Sequence, residues 1–118
     1  MPIELPKSQK KIARELIQKS LQIECSQFIE ETEALIDKQK REGKSAHEIY
    51  LKLYKKTQVF DKHIARRYDD MRGSRYVITL LGLIHDKILT QDDIDRFDED
   101  VREYLLKVSP KLWDDDSE

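Results

Sequence analysis

Tyr-Val-Ile-Thr-Leu-Leu-Gly-Leu-Ile, residues 76–84, is the only run of nine residues without a charged side chain in a sequence that is 39% charged. A membrane span needs about 20 apolar residues, so this run is too short to cross a bilayer. It is suited instead to the centre of a protein core. Because the other apolar segments are amphipathic and need a surface to pack on, we expect the fold to be organised around residues 76–84.

The periodicity of such a short apolar run does not distinguish a strand from a helix. Three of its residues favour a strand, namely Tyr76, Val77 and Ile78. Ser74, however, is a good helix N-cap, and the apolar pattern continues to Leu89 without a turn residue. No second strand candidate exists to pair with this one. The sequence therefore predicts a helix over 74–88 that is buried on nearly all sides.

A long α-hairpin is predicted before this core helix. Residues 7–42 contain no glycine or proline, and apolar residues recur among them at spacings of three and four, as in one amphipathic helix. Gly43 suits the left-handed position after a helix, and Ser45 with Glu48 has the form of a capping box. The second helix carries a heptad seam over 46–71. Two helices joined by so short a turn should lie antiparallel.

The C-terminal part of the sequence predicts one further helix, from about Gln91 to Val108, which Pro110 is expected to end. The predicted fold is all-α, an antiparallel helical bundle of about four helices made of a long α-hairpin plus two shorter helices. A length of 118 residues is typical of one domain. We assign that domain to residues 1–109 and an acidic C-terminal tail to residues 110–118.

The sequence indicates no catalytic, metal or cofactor chemistry. Its single cysteine, Cys25, lies on the main apolar stripe of the first helix, as is typical of a buried and unreactive thiol. The three histidines lack the Glu-x-x-His spacing of a metal site in a helical bundle, and no phosphate-binding loop or nucleophile elbow is present. We expect a protein that is not an enzyme. The absence of a leader or membrane-span pattern predicts a cytoplasmic location and no membrane partner.

Charge is distributed unevenly along the chain. Residues 52–76 carry a net charge of +5 and residues 86–118 a net charge of −7. These segments either neutralise each other or leave a basic band that binds an anion or nucleic acid, since a glycine amide and arginines at a helix N-terminus suit phosphate. The band consists of Lys52, Lys55, Lys62, Arg66, Arg67, Arg72, Gly73, Ser74 and Arg75. No recognised nucleic-acid-binding motif accompanies it, so nucleic acid is not the favoured partner.

A homodimer is predicted from the first helix. Its residues Ile12, Leu16 and Ile23 lie to one side of the main apolar stripe, and soluble proteins rarely expose such a patch unless it is an interface. Two copies related by a two-fold axis would bury the patch against itself. Alternatively, one of two segments covers the patch within a single chain. One segment contains Ile3 and Leu5, and the other contains Leu112 and Trp113.

The acidic C-terminal end has two interpretations. Leu112 and Trp113 either seal the end of the bundle or form, with Asp114, a linear motif for a protein partner. The sequence as a whole favours a non-catalytic helical protein–protein interaction or regulatory module that self-associates. The alternative is a nucleic-acid or phosphate-ligand binding protein that uses the basic band at 52–75.

Overall fold

The described part of the chain is built from helices. A computed structural model describes the backbone of residues 4–113 and the side chains of residues 4–109. Within this range the chain forms five helices and no strand. They are α1 (Lys7–Arg41), α2 (Ala46–Tyr68), α3 (Arg75–His85), α4 (Gln91–Ile94) and α5 (Glu99–Trp113). The predicted all-α fold, with a long α-hairpin and shorter helices, is confirmed. None of the helices in this range combines the length and the hydropathy that a membrane-spanning segment requires.

The described residues form two compact units. The core unit consists of residues 4–20 and 70–113, and the hairpin unit consists of residues 21–69. The helix α1 belongs to both, because its first 14 residues lie in the core unit and the rest in the hairpin unit. The single domain over 1–109 stays a prediction.

The helix α3 supplies much of the core unit, as its uncharged sequence predicts. Six of its eleven residues are buried: Tyr76, Val77, Thr79, Leu80, Leu81 and Leu83. It packs against α5, where Val101 and Leu105 are buried, and Leu16 of α1 is fully buried in the same unit. Ile78 is 42% exposed. One side of α3 thus faces solvent, while its other sides form the core.

The helix α3 is shorter than the predicted range 74–88, and the reasons lie at its two ends. Ser74 occupies the N-cap position, but its backbone is helical and its side chain makes no capping hydrogen bond. The helix ends at His85 because Lys87 adopts a φ of +63°. The amide of Ile88 then donates a hydrogen bond to the carbonyl of Leu83. This is the Schellman arrangement, with lysine at the position that glycine usually takes.

The prediction of one helix over 91–108 is wrong, because two helices occupy this range. The helix α4 ends at Ile94, and α5 begins after Asp98, whose carboxylate accepts a hydrogen bond from the amide of Val101 at 3.0 Å. Between the helices Phe97 is only 2% exposed. The break therefore buries a large aromatic side chain and provides an N-cap for α5.

Pro110 does not end the last helix, contrary to the prediction. The helix α5 continues through it to Trp113. The φ of proline, near −65°, is compatible with a helix, but proline has no amide hydrogen, so α5 passes through Pro110 with one backbone hydrogen bond fewer.

Removing the N-cap of α5 should destabilise the core unit moderately. We expect Asp98→Ala to lower the free energy of unfolding by about 1 kcal/mol, since the amide of Val101 then loses its acceptor. Glu103→Ala is the matched control, because Glu103 is exposed on the same helix, and its effect should stay within about 0.5 kcal/mol. Urea titrations followed by circular dichroism measure both. Equal effects of the two substitutions would show that Asp98 does not act as a cap.

The turn of the hairpin unit follows the sequence prediction, whereas α2 ends at Tyr68, short of the predicted seam residue Met71. Gly43 has a φ of +78°, and Ser45 and Glu48 form both hydrogen bonds of the capping box. The turn sets the antiparallel register, so residues at equal distance from Lys44 face each other. Phe28 and Phe60, each 16 residues from Lys44, stack with their ring centroids 4.2 Å apart and their planes 14° apart.

Candidate functional site

The helix α2 stands out by its exposure. None of its 23 residues, all of which the structure describes, is buried. Four of its large apolar side chains are between 48% and 64% exposed: Tyr50, Leu51, Tyr54 and Val59. Helices in folded proteins obtain most of their stability by packing an amphipathic face, and clustered exposed apolar side chains mark interaction sites. The exposed side chains of α2 therefore mark the hairpin unit as the location of a candidate functional surface.

One side of α2 carries an aromatic strip, formed by His47, Tyr50 and Tyr54. Consecutive rings of the strip lie with their centroids 6.3 Å apart and their planes inclined by 25°. Their spacing of three and four residues places them on the same side of the helix. Leu51, 48% exposed, is a helical neighbour of both ends of the strip. Tyr50, Leu51 and Tyr54 on this surface are between 48% and 59% exposed.

A groove of about 740 Å³ runs between α1 and α2 within the hairpin unit. Its apolar floor includes the stacked rings of Phe28 and Phe60. Its lining comprises Glu24, Gln27, Phe28, Glu31 and Leu35 from α1 and Lys52, Lys55, Lys56, Val59, Phe60 and His63 from α2. A volume of this size falls in the range of ligand-binding clefts, which reach about 1,000 Å³.

The groove has one basic edge, contributed by α2. Lys56 is already engaged, because its Nζ lies 3.5 Å from a carboxylate oxygen of Glu31 and 5.1 Å from the ring centroid of Phe28. Lys52 and Lys55 are exposed, and no carboxylate among residues 4–109 forms an ion pair with either. The charge that the groove presents to a ligand is thus positive on the α2 side.

At one end of the groove, three donors converge on the buried carboxylate of Glu24. Oε1 of Glu24 lies 2.7 Å from Nε2 of His63, and Oε2 accepts hydrogen bonds from a guanidinium nitrogen of Arg67 at 3.0 Å and from the hydroxyl of Tyr68 at 2.5 Å. All three donors come from the last two turns of α2. The Glu24 cluster therefore fixes the end of α2 against α1.

The environment of the Glu24 cluster favours the ionised carboxylate. Burial alone would raise the pKa of Glu24, but the hydrogen bonds from Tyr68, His63 and Arg67 and the charge of Arg67 outweigh it, so the pKa is lowered. Burial, together with the hydrogen bond to Glu24 and the negative charge there, raises the pKa of the Tyr68 hydroxyl well above its ordinary range. Tyr68 thus stays protonated and Glu24 stays charged at neutral pH.

The residues of the predicted basic band have different environments. Arg67 belongs to the Glu24 cluster, and Arg72 donates a hydrogen bond to the carboxylate of Asp70 at 2.7 Å. Gly73 has a φ of +53°, and Ser74 makes no capping bond. The structure also divides the band. Lys52, Lys55, Lys62, Arg66 and Arg67 lie in the hairpin unit, whereas Arg72, Gly73, Ser74 and Arg75 lie in the core unit.

The apolar patch predicted on the first helix is not exposed as a whole, so it cannot form a dimer interface in full. Leu16 is 0% exposed and belongs to the core unit, and Ile12 and Ile23 are partly buried. Leu5, from the N-terminal segment, is also buried in the core unit. The use of Leu16 as a dimer contact is therefore wrong, because its side chain already packs inside one chain.

The predicted C-terminal motif can be placed only in part. The backbone of Leu112 and Trp113 belongs to α5. Their side chains, and the whole of Asp114, lie outside the described residues.

Sequence reasoning missed the Glu24 cluster, although two signals for it exist. Arg67 is the charged member of the heptad seam over 46–71, and Glu24 is a charged residue directly beside Cys25 of the main apolar stripe of α1. The turn at Lys44 sets Glu24 opposite Ile64, one turn from Arg67, so the register would have paired the two charges.

Neither a metal centre nor a known relative assigns a role to this surface. Among the residues that the structure describes, no three His, Cys, Asp or Glu side chains converge as metal ligands. A comparison of the chain with protein-family models finds no match, and comparisons with curated proteins and with solved structures likewise find none.

Proposed function

We propose that this protein is a non-catalytic helical interaction module that self-associates through its hairpin unit. The observation that carries the proposal is the exposure of α2, a helix of 23 residues with no buried side chain. Since helices are held mainly by the packing of an apolar face, a second surface on α2 supplies the packing that the single chain lacks.

The aromatic strip is the surface that we assign to self-association. It presents Tyr50 and Tyr54, both more than half exposed, beside Leu51. Tyrosine is enriched in protein interfaces because it buries a large area with few rotatable bonds. A strip along one helix also packs well against its own copy, since a two-fold axis places the same surface on both partners. The dimer proposed here thus uses α2 in place of the patch around Leu16.

Self-association should be visible by sedimentation velocity at micromolar protein concentration. We expect the wild-type chain to sediment as a dimer and Tyr50→Glu/Tyr54→Glu to sediment as a monomer, because the double variant places two like charges in the interface. The dissociation constant should rise by at least about tenfold, which corresponds to about 1.4 kcal/mol.

The matched control is Leu106→Glu, which changes an exposed leucine of the core unit. Leu106 is 39% exposed on α5, so the substitution should leave both folding and the sedimentation coefficient unchanged. A wild-type chain that stays monomeric at all concentrations would contradict self-association. A dimer that survives the change of both tyrosines would show that the aromatic strip is not its interface.

The nucleic-acid alternative has less support in the structure. Two of the arginines proposed for it, Arg67 and Arg72, already pair with carboxylates. Phosphate contacts would have to compete with these pairs, whereas an interaction module leaves them in place. The alternative remains a prediction from the charge pattern of the sequence.

A further inference from the structure

We infer that the groove between α1 and α2 is a docking site for an acidic amphipathic helix of a protein partner. The inference rests on the proposed function, since it names the partner chemistry of the same hairpin unit. It concerns a surface different from the aromatic strip. Val59, in the groove, is five residues from Tyr54, which is a rotation of about 140° around the helix axis.

The shape of the groove suits a helix. Its lining on α2 extends from Lys52 to His63, which corresponds to about 17 Å at 1.5 Å per residue. A partner helix of about three turns therefore matches its length. Helices bind in such grooves by inserting apolar residues spaced by three and four positions. The floor offers Phe28, Phe60 and Leu35, and Val59 is 64% exposed beside them.

The charges of the groove favour a partner helix with negatively charged side chains. Lys52 and Lys55 line it without a carboxylate partner among residues 4–109. The two acidic residues of the lining are already engaged, Glu31 with Lys56 and Glu24 with Arg67. Among the described residues, approaching aspartates and glutamates therefore meet two lysines that form no ion pair on the α2 edge, while Glu24 and Glu31 on the α1 edge are already paired. Complementary charge of this kind speeds association and suppresses partners of the wrong sign.

The Glu24 cluster gives the groove a fixed end. His63 is both a lining residue and a donor to Glu24, so the hydrogen bonds that hold the end of α2 also position the groove wall. A groove that is already formed avoids part of the ordering cost of binding. The partner helix thus meets a preorganised surface, even though α2 has no buried side chain.

Fluorescence anisotropy with labelled designed helices tests this inference. The probe is a peptide of about 15 residues with leucines at helical spacing and glutamates on the flanking positions. One control peptide has lysine in place of every glutamate, and a second has the same composition as the probe in scrambled order. We expect the acidic peptide to bind at least about tenfold more tightly than both controls, and its affinity to fall as salt is raised.

Two groove variants make the test specific. Val59→Glu should abolish binding of the acidic peptide, because it places a carboxylate beside the apolar floor, where it repels the glutamates of the peptide. Lys52→Glu/Lys55→Glu should reverse the preference, so that the basic peptide binds better. The matched control is Lys40→Glu/Lys44→Glu, which reverses two exposed lysines of the same hairpin that do not line the groove. This control should keep the wild-type preference.

The inference is overturned if none of the peptides binds, if acidic and basic peptides bind equally, or if Val59→Glu leaves binding unchanged. Sedimentation of the same samples separates these outcomes from failure of the proposed function. If the protein is a dimer but does not bind the peptides, only the inference about the groove is contradicted. If it is a monomer that binds the acidic peptide, only the proposal of self-association is contradicted. If Val59→Glu dissociates the dimer and no peptide binds, a second copy of the chain occupies the groove, and the inference is wrong.

Discussion

Leu83→Asp is expected to unfold the core unit. Leu83 is 0% exposed on α3, and the substitution removes a large apolar side chain while burying a carboxylate that has no partner. Loss of the leucine alone costs about 2–5 kcal/mol, and burial of an unpaired charge adds to this. The sum approaches the whole stability of a small domain, which is about 5–15 kcal/mol. Thermal unfolding followed by circular dichroism should show no cooperative transition.

Ile78→Asp provides the control on the same helix. Ile78 is 42% exposed, so an aspartate there remains in contact with water. We expect this variant to keep a cooperative transition and to lose no more than about 1 kcal/mol. If Leu83→Asp melts like the wild type, α3 is not the centre of the core unit.

Glu24→Ala is expected to have the largest effect in the hairpin unit. The substitution removes the carboxylate that His63, Arg67 and Tyr68 share. Breaking a buried, hydrogen-bonded charge pair by removing one partner costs about 3 kcal/mol. Urea titration measures this loss, and Glu33→Ala serves as the control because Glu33 is exposed on the same helix. Equal effects of the two substitutions would contradict the role given to Glu24.

The Glu24 cluster also predicts a pH dependence. The pKa of Glu24 is lower in the folded chain than in the unfolded chain, so its contribution to stability is complete above the ordinary glutamate pKa. The contribution is lost as the pH falls from that value through the lowered one. Glu24→Gln should therefore show a smaller loss of stability on acidification than the wild type. Some acid dependence should remain, because the pKa of Asp93 in the core unit is also lowered.

The parts of the fold that were predictable have local sequence signals. The hairpin turn is specified by Gly43 and by the capping box of Ser45 and Glu48, and the core helix by the uncharged run at 76–84. The errors in the prediction occur where tertiary packing determines the backbone conformation. Lys87 has a left-handed backbone although lysine carries no such signal, and the burial of Phe97 breaks a segment whose periodicity reads as one helix.

The functional surface was less predictable than the fold. The heptad seam over 46–71 identifies Phe60 and Arg67, which contact α1. It also includes Tyr50, and there the prediction is wrong, because Tyr50 is 59% exposed in the aromatic strip. Whether a seam residue is buried depends on which surfaces the rest of the chain covers. The three-dimensional arrangement also pairs Glu31 with Lys56, whereas Lys52 and Lys55 form no ion pair with a carboxylate among residues 4–109.

The most direct test of the central proposal is amide hydrogen exchange in α2 as a function of protein concentration. If α2 packs against a second copy, exchange at residues 46–68 should slow as the concentration rises through the dissociation constant, since paired helices open less often. In Tyr50→Glu/Tyr54→Glu the exchange rates should not depend on concentration. Exchange in wild-type α2 that is equally fast at every concentration would contradict the proposal that this helix is the self-association surface.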